Sequence, residues 1–306
     1  MKKISIVIPC YNSSQMIAGV VERIKNTIVQ REEYDYEIIL VNDGSPDNTW
    51  QVIKGLAETD EKVKAINFAQ NFGQHSAMMA GYRKASGDLI LGMDDDGENA
   101  PEEMFKLIDK LDEGYDCVCA EYESHTSLFR SLGTKMNSWM AYHMIGQPKG
   151  LTMTSYYVVK RFVINQVIKY DNSYPYVAGL FMQTSKNWGT VKLERNKRIS
   201  GTSGYSLRKL LSLWINGFTA FSVKPLRLAV IIGFFFSVLG IVAAVYYIIR
   251  RLIGIDVVLG YTSIMSGISF FGGMIMILLG IVGEYVGRIY ISINNSPQYV
   301  VKEEVE

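Results

Sequence analysis

Between Arg227 and Arg250 the chain runs for 22 residues, Leu228 to Ile249, without a charged side chain, and between Asp256 and Glu284 for another 27. At about 1.5 Å of rise per residue the first run spans roughly 33 Å as a helix, enough for one bilayer crossing. The second is rich in Gly, Ser, Met and Phe, and Gly267, Gly272, Gly273 and Gly280 permit close helix approach. Two antiparallel crossings with a short loop near Gly254 to Gly260 are the simplest arrangement. The alternative is a pair of buried core helices in a soluble protein. Lys224, Arg227 and Arg288 favour a cytoplasmic location for both flanks, against Arg250 and Arg251 on the other side.

Charge is distributed accordingly. Residues 226–306 hold five basic and five acidic groups, whereas the other 225 residues hold 51 of the 61 charges. A polar front and a lipid-facing rear follow, and a formal net charge of +1 gives no reason to expect a nucleic-acid partner. Met1-Lys-Lys-Ile-Ser-Ile-Val-Ile-Pro9 reaches proline too soon for a signal-peptide core, so the front is expected to stay cytoplasmic. Cys10, Cys117 and Cys119 form no Cys-x-x-Cys pair and read as buried reduced thiols.

Two further stretches have helical apolar spacing. Leu207, Leu210, Leu211, Trp214, Phe218 and Phe221 read as an amphipathic helix lying in the membrane interface beside the first crossing. Phe129, Leu132, Met136, Trp139, Met140 and His143 form a second stripe, with Arg130 and Lys135 off it; ordinary core is the alternative for both.

Residues 3–122 alternate between β-branched runs and helical patterns. Ile4–Ile8, Glu37–Val41, Val63–Phe68, Asp88–Met93 and Asp116–Ala120 read as strands, four of them nearly continuous apolar runs. Strands buried on both faces imply an α/β fold with a doubly wound, mostly parallel sheet, with helices starting near Ser13, Asp47 and Pro101. In such sheets ligands bind at the carboxyl ends of the strands. Those ends read Pro9-Cys10-Tyr11-Asn12, Asn42-Asp43-Gly44-Ser45, Gln70-Asn71-Phe72-Gly73 and Asp94-Asp95-Asp96-Gly97-Glu98. Crowded carboxylates repel one another unless a cation is present, and hard oxygen donors without His or Cys point to Mg²⁺ or Mn²⁺, which also holds substrate phosphates. Asp43 and the glycines could instead be turn residues. No Gly-x-x-x-x-Gly-Lys or Gly-x-Gly-x-x-Gly is present, and no nucleophile motif accompanies the histidines.

The ordered set Ile-Pro-Cys-Tyr-Asn, Val-Asn-Asp-Gly-Ser-Pro-Asp-Asn-Thr, Gln-Asn-Phe-Gly-Gln, Met-Asp-Asp-Asp-Gly-Glu and Gly-Thr-Ser-Gly-Tyr-Ser-Leu-Arg-Lys-Leu, followed by two crossings, resembles the family 2 glycosyltransferases of the polyprenyl-phosphate branch. That resemblance implies a GT-A-type catalytic domain at 1–205, an interfacial helix at 206–225, a transmembrane hairpin at 226–290 and a cytoplasmic tail at 291–306. It implies that Pro9, Tyr11 and Asp43, with Asn12, Gly73, Asp94 and Asp95, hold a nucleotide sugar, UDP-linked by default. Asp94 and Asp96 would engage metal and diphosphate, with Glu98 where the family usually has Gln. Arg198 would contact phosphate, and Arg130, Lys135, Arg198 and Ser203 would serve the lipid phosphate. The implied partners are a nucleotide sugar, undecaprenyl or another polyprenyl phosphate, and the bilayer of a bacterial inner membrane; the membrane helices could also organise a homo-oligomer.

Two departures stand out. Thr152-Met-Thr-Ser-Tyr-Tyr157 replaces a family segment, Asp-Phe-Arg, that holds a proposed catalytic carboxylate, and Gly201-Thr-Ser-Gly204 lacks a lysine common in the family. Rival readings are a polysaccharide-extending synthase, disfavoured because Gln183 to Trp188 only loosely echoes Gln-x-x-Arg-Trp and the spans are too few for a channel, and a catalytically weak scaffold.

Overall fold

The computed structural model describes residues 1–122, 147, 148, 151, 153–194, 260–293 and 297–306, with scattered helical positions between 226 and 253. Arg130, Lys135, Arg198, Ser203 and both amphipathic stretches lie outside the described residues.

One eight-stranded sheet organises the front of the chain, in the order β7-β5-β6-β4-β1-β2-β3-β8. Its strands are β1 (Lys2–Cys10), β2 (Tyr34–Asn42), β3 (Val63–Phe68), β4 (Leu89–Gly92), β5 (Cys117–Tyr122), β6 (Tyr157–Lys160), β7 (Trp188–Leu193) and β8 (Val301–Val305). The central four, β4-β1-β2-β3, are parallel, as the apolar runs predict. Their flanks are not: β6 pairs antiparallel with β4 and β5, and β8 antiparallel with β3. The sheet is therefore mixed.

Helices α1 (Ile17–Ile28), α2 (Thr49–Thr59), α3 (Gln74–Lys84) and α4 (Met104–Asp112) connect these strands, followed by α5 (Arg161–Val167) and α6 (Val177–Thr184). Ile4, Ile6 and Ile8 of β1 share a core with Ile17, Val20 and Ile24 of α1 and Leu107 and Ile108 of α4, all fully buried. Val7 points the other way onto α3, where Gly81 lies so close that a Cβ would overlap the valine side chain. Helices on both faces explain the apolar runs at the centre of the sheet, such as Ile38–Val41 of β2 and Leu89–Leu91 of β4. Helix α1 starts at Ile17 rather than Ser13, because the Ser13 carbonyl accepts from Met16 and Ile17 (2.9 and 3.0 Å) in a turn that precedes it. At α2, the Asp47 carboxylate accepts the Thr49 N–H at 3.1 Å, and Pro101 opens a short 3-10 turn (Pro101–Glu103) before α4. All three cysteines are free and buried, and burial pushes the Cys119 thiol up to about 12.

Of the tail expected at 291–306, residues 291–293 close a long helix and Val301–Val305 form β8 of the sheet. Residues 295–306 group with residues 1–207, while residues 208–294 form a second compact unit. In that second unit α7 (Tyr261–Ile293) runs for 33 residues, and its window Phe270–Gly287 has a mean hydropathy of 1.8 with none of it buried. Among the described residues it alone is long and apolar enough to cross a membrane. The helical positions before it are similarly exposed and apolar, Phe234 and Val242 among them, and Phe236 meets Phe270 with ring centroids 5.6 Å apart.

Candidate functional site

The carboxyl ends of β1, β2, β3 and β4 form one edge, and hydrogen bonds knit their loops together. Pro9 lies opposite Val41, beyond the β4 ladder that ends at Val7, so its missing N–H leaves no sheet acceptor unpaired. The chain then turns through Asn12, whose φ of 56° is the one positive value at a non-glycine among the described residues. Tyr11 donates its N–H to Asp95 Oδ2 at 3.0 Å, and Asn12 donates its own to Ser45 Oγ at 3.2 Å. The Tyr11 ring itself is half exposed. Ser45 donates to Asn42 Oδ1 at 2.5 Å, and Asn42 donates to Asn67 Oδ1 at 2.8 Å, which fixes the ends of β2 and β3.

Asp43 is buried at 3% exposure, with Oδ1 accepting the Phe72 N–H (2.7 Å) and Oδ2 the Gly73 N–H (2.9 Å). Burial pushes its carboxyl up to about 6 against the lowering effect of those two donors, so at neutral pH it is largely ionised. The carboxylate thus ties the 70–73 loop to the end of β2. Gly44 makes this possible, since its φ is +62° and a Cβ there would overlap the Gln70 and Asn71 backbone. Gly44→Ala is expected to lower the thermal midpoint; an unchanged midpoint in a calorimetric scan would show that the 70–73 loop moves aside without cost.

The three consecutive aspartates point to different tasks. Asp94 accepts from Gln74 Nε2 at 2.8 Å through Oδ1 and from the Ser155 hydroxyl through Oδ2. Burial raises its pKa, and Asp96 nearby adds to the rise. Asp95 faces the β1 loop instead; burial pushes it up to about 6 against hydrogen bonds from Ser13 and the Tyr11 amide. Asp96 accepts the Glu98 N–H at 3.0 Å, closing the turn. Among the described residues no three His, Cys, Asp or Glu side chains converge as a metal cluster, so Glu98 completes no cage with Asp94 and Asp96. The donor set still fits Mg²⁺ or Mn²⁺: two hard carboxylates that repel each other suit an ion that takes its remaining ligands from water and substrate phosphates.

Gln74 and Ser155 were named in the sequence motifs without a role. Gln74 closes Gln-Asn-Phe-Gly-Gln and opens α3; Ser155 sits in the divergent Thr152 to Tyr157 segment, which therefore runs beside Asp94. His75, next along α3, stacks edge-on against Tyr176 at 5.4 Å, and burial lowers its pKa to about 4. It is neutral at physiological pH and supplies no cation for a phosphate.

The sequence comparisons give this mixed sheet with its acidic strand-end edge a family, that of sugar-transferring enzymes. The chain belongs to glycosyl transferase family 2, whose model matches residues 5–204, and residues 224–289 match the GtrB C-terminal hairpin. A putative glycosyltransferase CsbB of Bacillus subtilis is 34% identical, covering 98% of this chain and 91% of its own. The undecaprenyl-phosphate 4-deoxy-4-formamido-L-arabinose transferase of Proteus mirabilis is 32% identical (100% and 94%), as is an SfII prophage-derived bactoprenol glucosyl transferase of Shigella flexneri (98% and 98%). Glucosyl-3-phosphoglycerate synthase from Mycobacterium tuberculosis, solved with Mn²⁺ and uridine-diphosphate-glucose, superposes with a TM-score of 0.52 over 69% of this chain and 75% of its own. At 18% identity that likeness is one of fold. The chain is a glycosyltransferase.

Proposed function

We propose that this enzyme moves a single sugar from a nucleotide sugar, UDP-linked, to undecaprenyl phosphate at the cytoplasmic face of the bacterial plasma membrane, inverting the anomeric centre, for use in a cell-envelope glycan. The observation that carries the reading is the coincidence, in one chain, of an acidic site at the strand ends and an apolar segment whose two ends belong to the same sheet-bearing unit. The chain leaves that unit after Leu207 and returns at Asn295. A segment that begins and ends on one folded unit crosses a bilayer an even number of times. With α7 as one crossing, residues 226–253 supply the other, and the catalytic domain and both termini share one side. The exposed apolar surface of α7 supports lipid as its surroundings. Full-length similarity to enzymes named for undecaprenyl phosphate and bactoprenol supports the acceptor.

In the reaction, Asp43 and the Tyr11–Asn12 turn hold the nucleoside, with the exposed Tyr11 ring against the base. Asp94 and Asp96 would hold Mg²⁺ or Mn²⁺, which when bound neutralises charge on the departing nucleoside diphosphate. Gln74 and Ser155 keep the Asp94 carboxylate oriented. The acceptor is a phosphate monoester whose second pKa is about 6, so at pH 7 it is already mostly a dianion and needs little help from a general base. The lack of a carboxylate in Thr152–Tyr157 is therefore tolerable. Arg130, Lys135, Arg198 and Ser203 are the residues we assign to the acceptor phosphate.

Arg130→Ala is expected to raise the apparent KM for lipid phosphate about tenfold, well beyond its effect on nucleotide-sugar KM. Equal effects on both would remove its acceptor role. Product size tests the reaction itself: with excess donor, one sugar per lipid supports single transfer, and a ladder of longer products would favour the synthase reading.

A further inference from the structure

The segment that follows the apolar hairpin does more than close the sheet. Val300 accepts the Ala69 N–H at 2.9 Å, and β8 continues along β3 through Phe68 paired with Val301. Just ahead of it, the Tyr299 ring stacks on Phe68 with centroids 5.0 Å apart and planes 8° apart. Phe68 in turn meets Phe72 edge to face at 5.8 Å, and the Phe72 N–H is one of the two donors on the Asp43 carboxylate. A continuous line of contacts thus runs from Tyr299 through two rings to Asp43.

Arg83 holds the start of this line. Its guanidinium donates to Gln298 Oε1 (2.8 Å), the Tyr299 hydroxyl (3.0 Å), the Tyr170 carbonyl (3.0 Å) and Asp171 Oδ1 (2.8 Å). Gln298 adds a bond from Nε2 to the Asn172 carbonyl at 2.8 Å and is itself buried. Arg83 stands in the last turn of α3, the helix whose first residue, Gln74, holds Asp94. Lys84 beside it pairs with Glu304 and Glu306, so α3 grips the returning strand at two successive residues.

We infer that Tyr299 and Arg83 are positioning residues for the donor site, and that the post-hairpin segment Gln298–Val305 forms the back support of the loop presenting Asp43. The inference rests on the reading of Asp43 as a nucleotide-binding residue. It has a consequence for the whole chain: the donor pocket is complete only once the polypeptide has passed through the hairpin and returned, so the apolar segment and donor binding are coupled through covalent continuity.

The test uses the full-length enzyme in detergent and measures UDP affinity by calorimetry alongside steady-state kinetics. Tyr299→Ala is expected to weaken UDP binding and raise donor KM about tenfold, with acceptor KM and the rate at saturating donor within twofold. Tyr299→Phe keeps the stacking and is expected to restore donor affinity to within twofold. Arg83→Ala should repeat the donor effect in milder form, with partial rescue by Arg83→Lys. Equal losses in donor and acceptor parameters, or no change in UDP affinity, would overturn the inference. Asp43→Asn, run in parallel, separates the two layers. If it leaves UDP affinity intact, the reading of Asp43 fails. If it weakens UDP affinity while Tyr299→Ala does not, the back-support role alone fails.

Discussion

Asp96→Ala is expected to cut transfer by about 10³-fold or more while leaving membrane insertion and the thermal midpoint unchanged. The magnitude follows from where the negative charge goes. In the proposed reaction the leaving diphosphate would gain charge beside Asp94, whose ionised form is already destabilised by burial and by Asp96. Two carboxylates so placed are costly alone and useful only with a cation between them and the phosphates. Removing Asp96 relieves the repulsion while giving up the bond from the Glu98 N–H, two opposing effects on stability, and takes away a carboxylate that would hold the cation countering the charge on the diphosphate. Measured kcat with saturating donor and Mn²⁺, against the wild type in the same detergent, decides the matter. Full activity in the variant would end the metal assignment.

The second large effect concerns stability. Glu37 is 1% exposed and accepts from Ser5 Oγ (2.6 Å), Ser86 N–H (2.6 Å), Lys64 Nζ (2.9 Å) and Lys3 Nζ (3.2 Å). Burial alone would raise its pKa, but these donors outweigh it and hold the carboxyl far below the ordinary range. The stabilisation is therefore present above the unfolded pKa of about 4.3 and is lost as pH falls from there toward the folded value. Glu37→Gln removes the charge and leaves two lysines facing an amide. Because Lys3 and Lys64 are partly exposed, at 33% and 22%, the cost falls at the lower end for a broken buried pair, about 3 kcal/mol. For a soluble unit of this size that corresponds to a fall of about 6–12 °C in the thermal midpoint at pH 7. The gap between variant and wild type should narrow as the pH drops below about 4. A gap that stays constant as the pH is taken further below that value would show that the ionised carboxylate is not what stabilises the fold.

Glu37 also illustrates what the sequence alone left hidden. Glu37–Val41 reads correctly as a strand because Ile38 to Val41 are apolar, yet nothing local says that its first residue is buried. The donors come from β1, β3 and the loop before β4, and only the parallel register unites them. The central sheet was legible for the opposite reason: Ile4–Ile8 and Leu89–Met93 are short, nearly continuous apolar runs bounded by polar turns, as strands covered on both faces require. The acidic edge was legible too, since strand ends locate themselves once the strands do. Its internal division of labour was not, because Asp94 and Asp95 are neighbours in sequence and diverge only through Ser155, Gln74 and the Tyr11 amide.

β8 was invisible for a further reason. Val-Lys-Glu-Glu-Val has the composition of a solvated tail, and its partner on β3 lies more than 230 residues earlier. What makes it a strand is tertiary: Lys54 and the Trp50 indole bind Glu303, Lys84 binds Glu304, and Tyr299 anchors the approach. Its charged face also suits the outer edge of the sheet, where it blocks further strand addition.

The central claim is most directly tested by incubating the purified, detergent-solubilised enzyme with undecaprenyl phosphate, Mg²⁺ or Mn²⁺ and a panel of radiolabelled nucleotide sugars, then counting label in the organic phase. The account predicts label from one donor, abolished by chelation and restored by adding the ion back. Absence of label from every donor, with UDP binding intact, would contradict it and point to an acceptor other than polyprenyl phosphate or to a scaffold that binds without turnover.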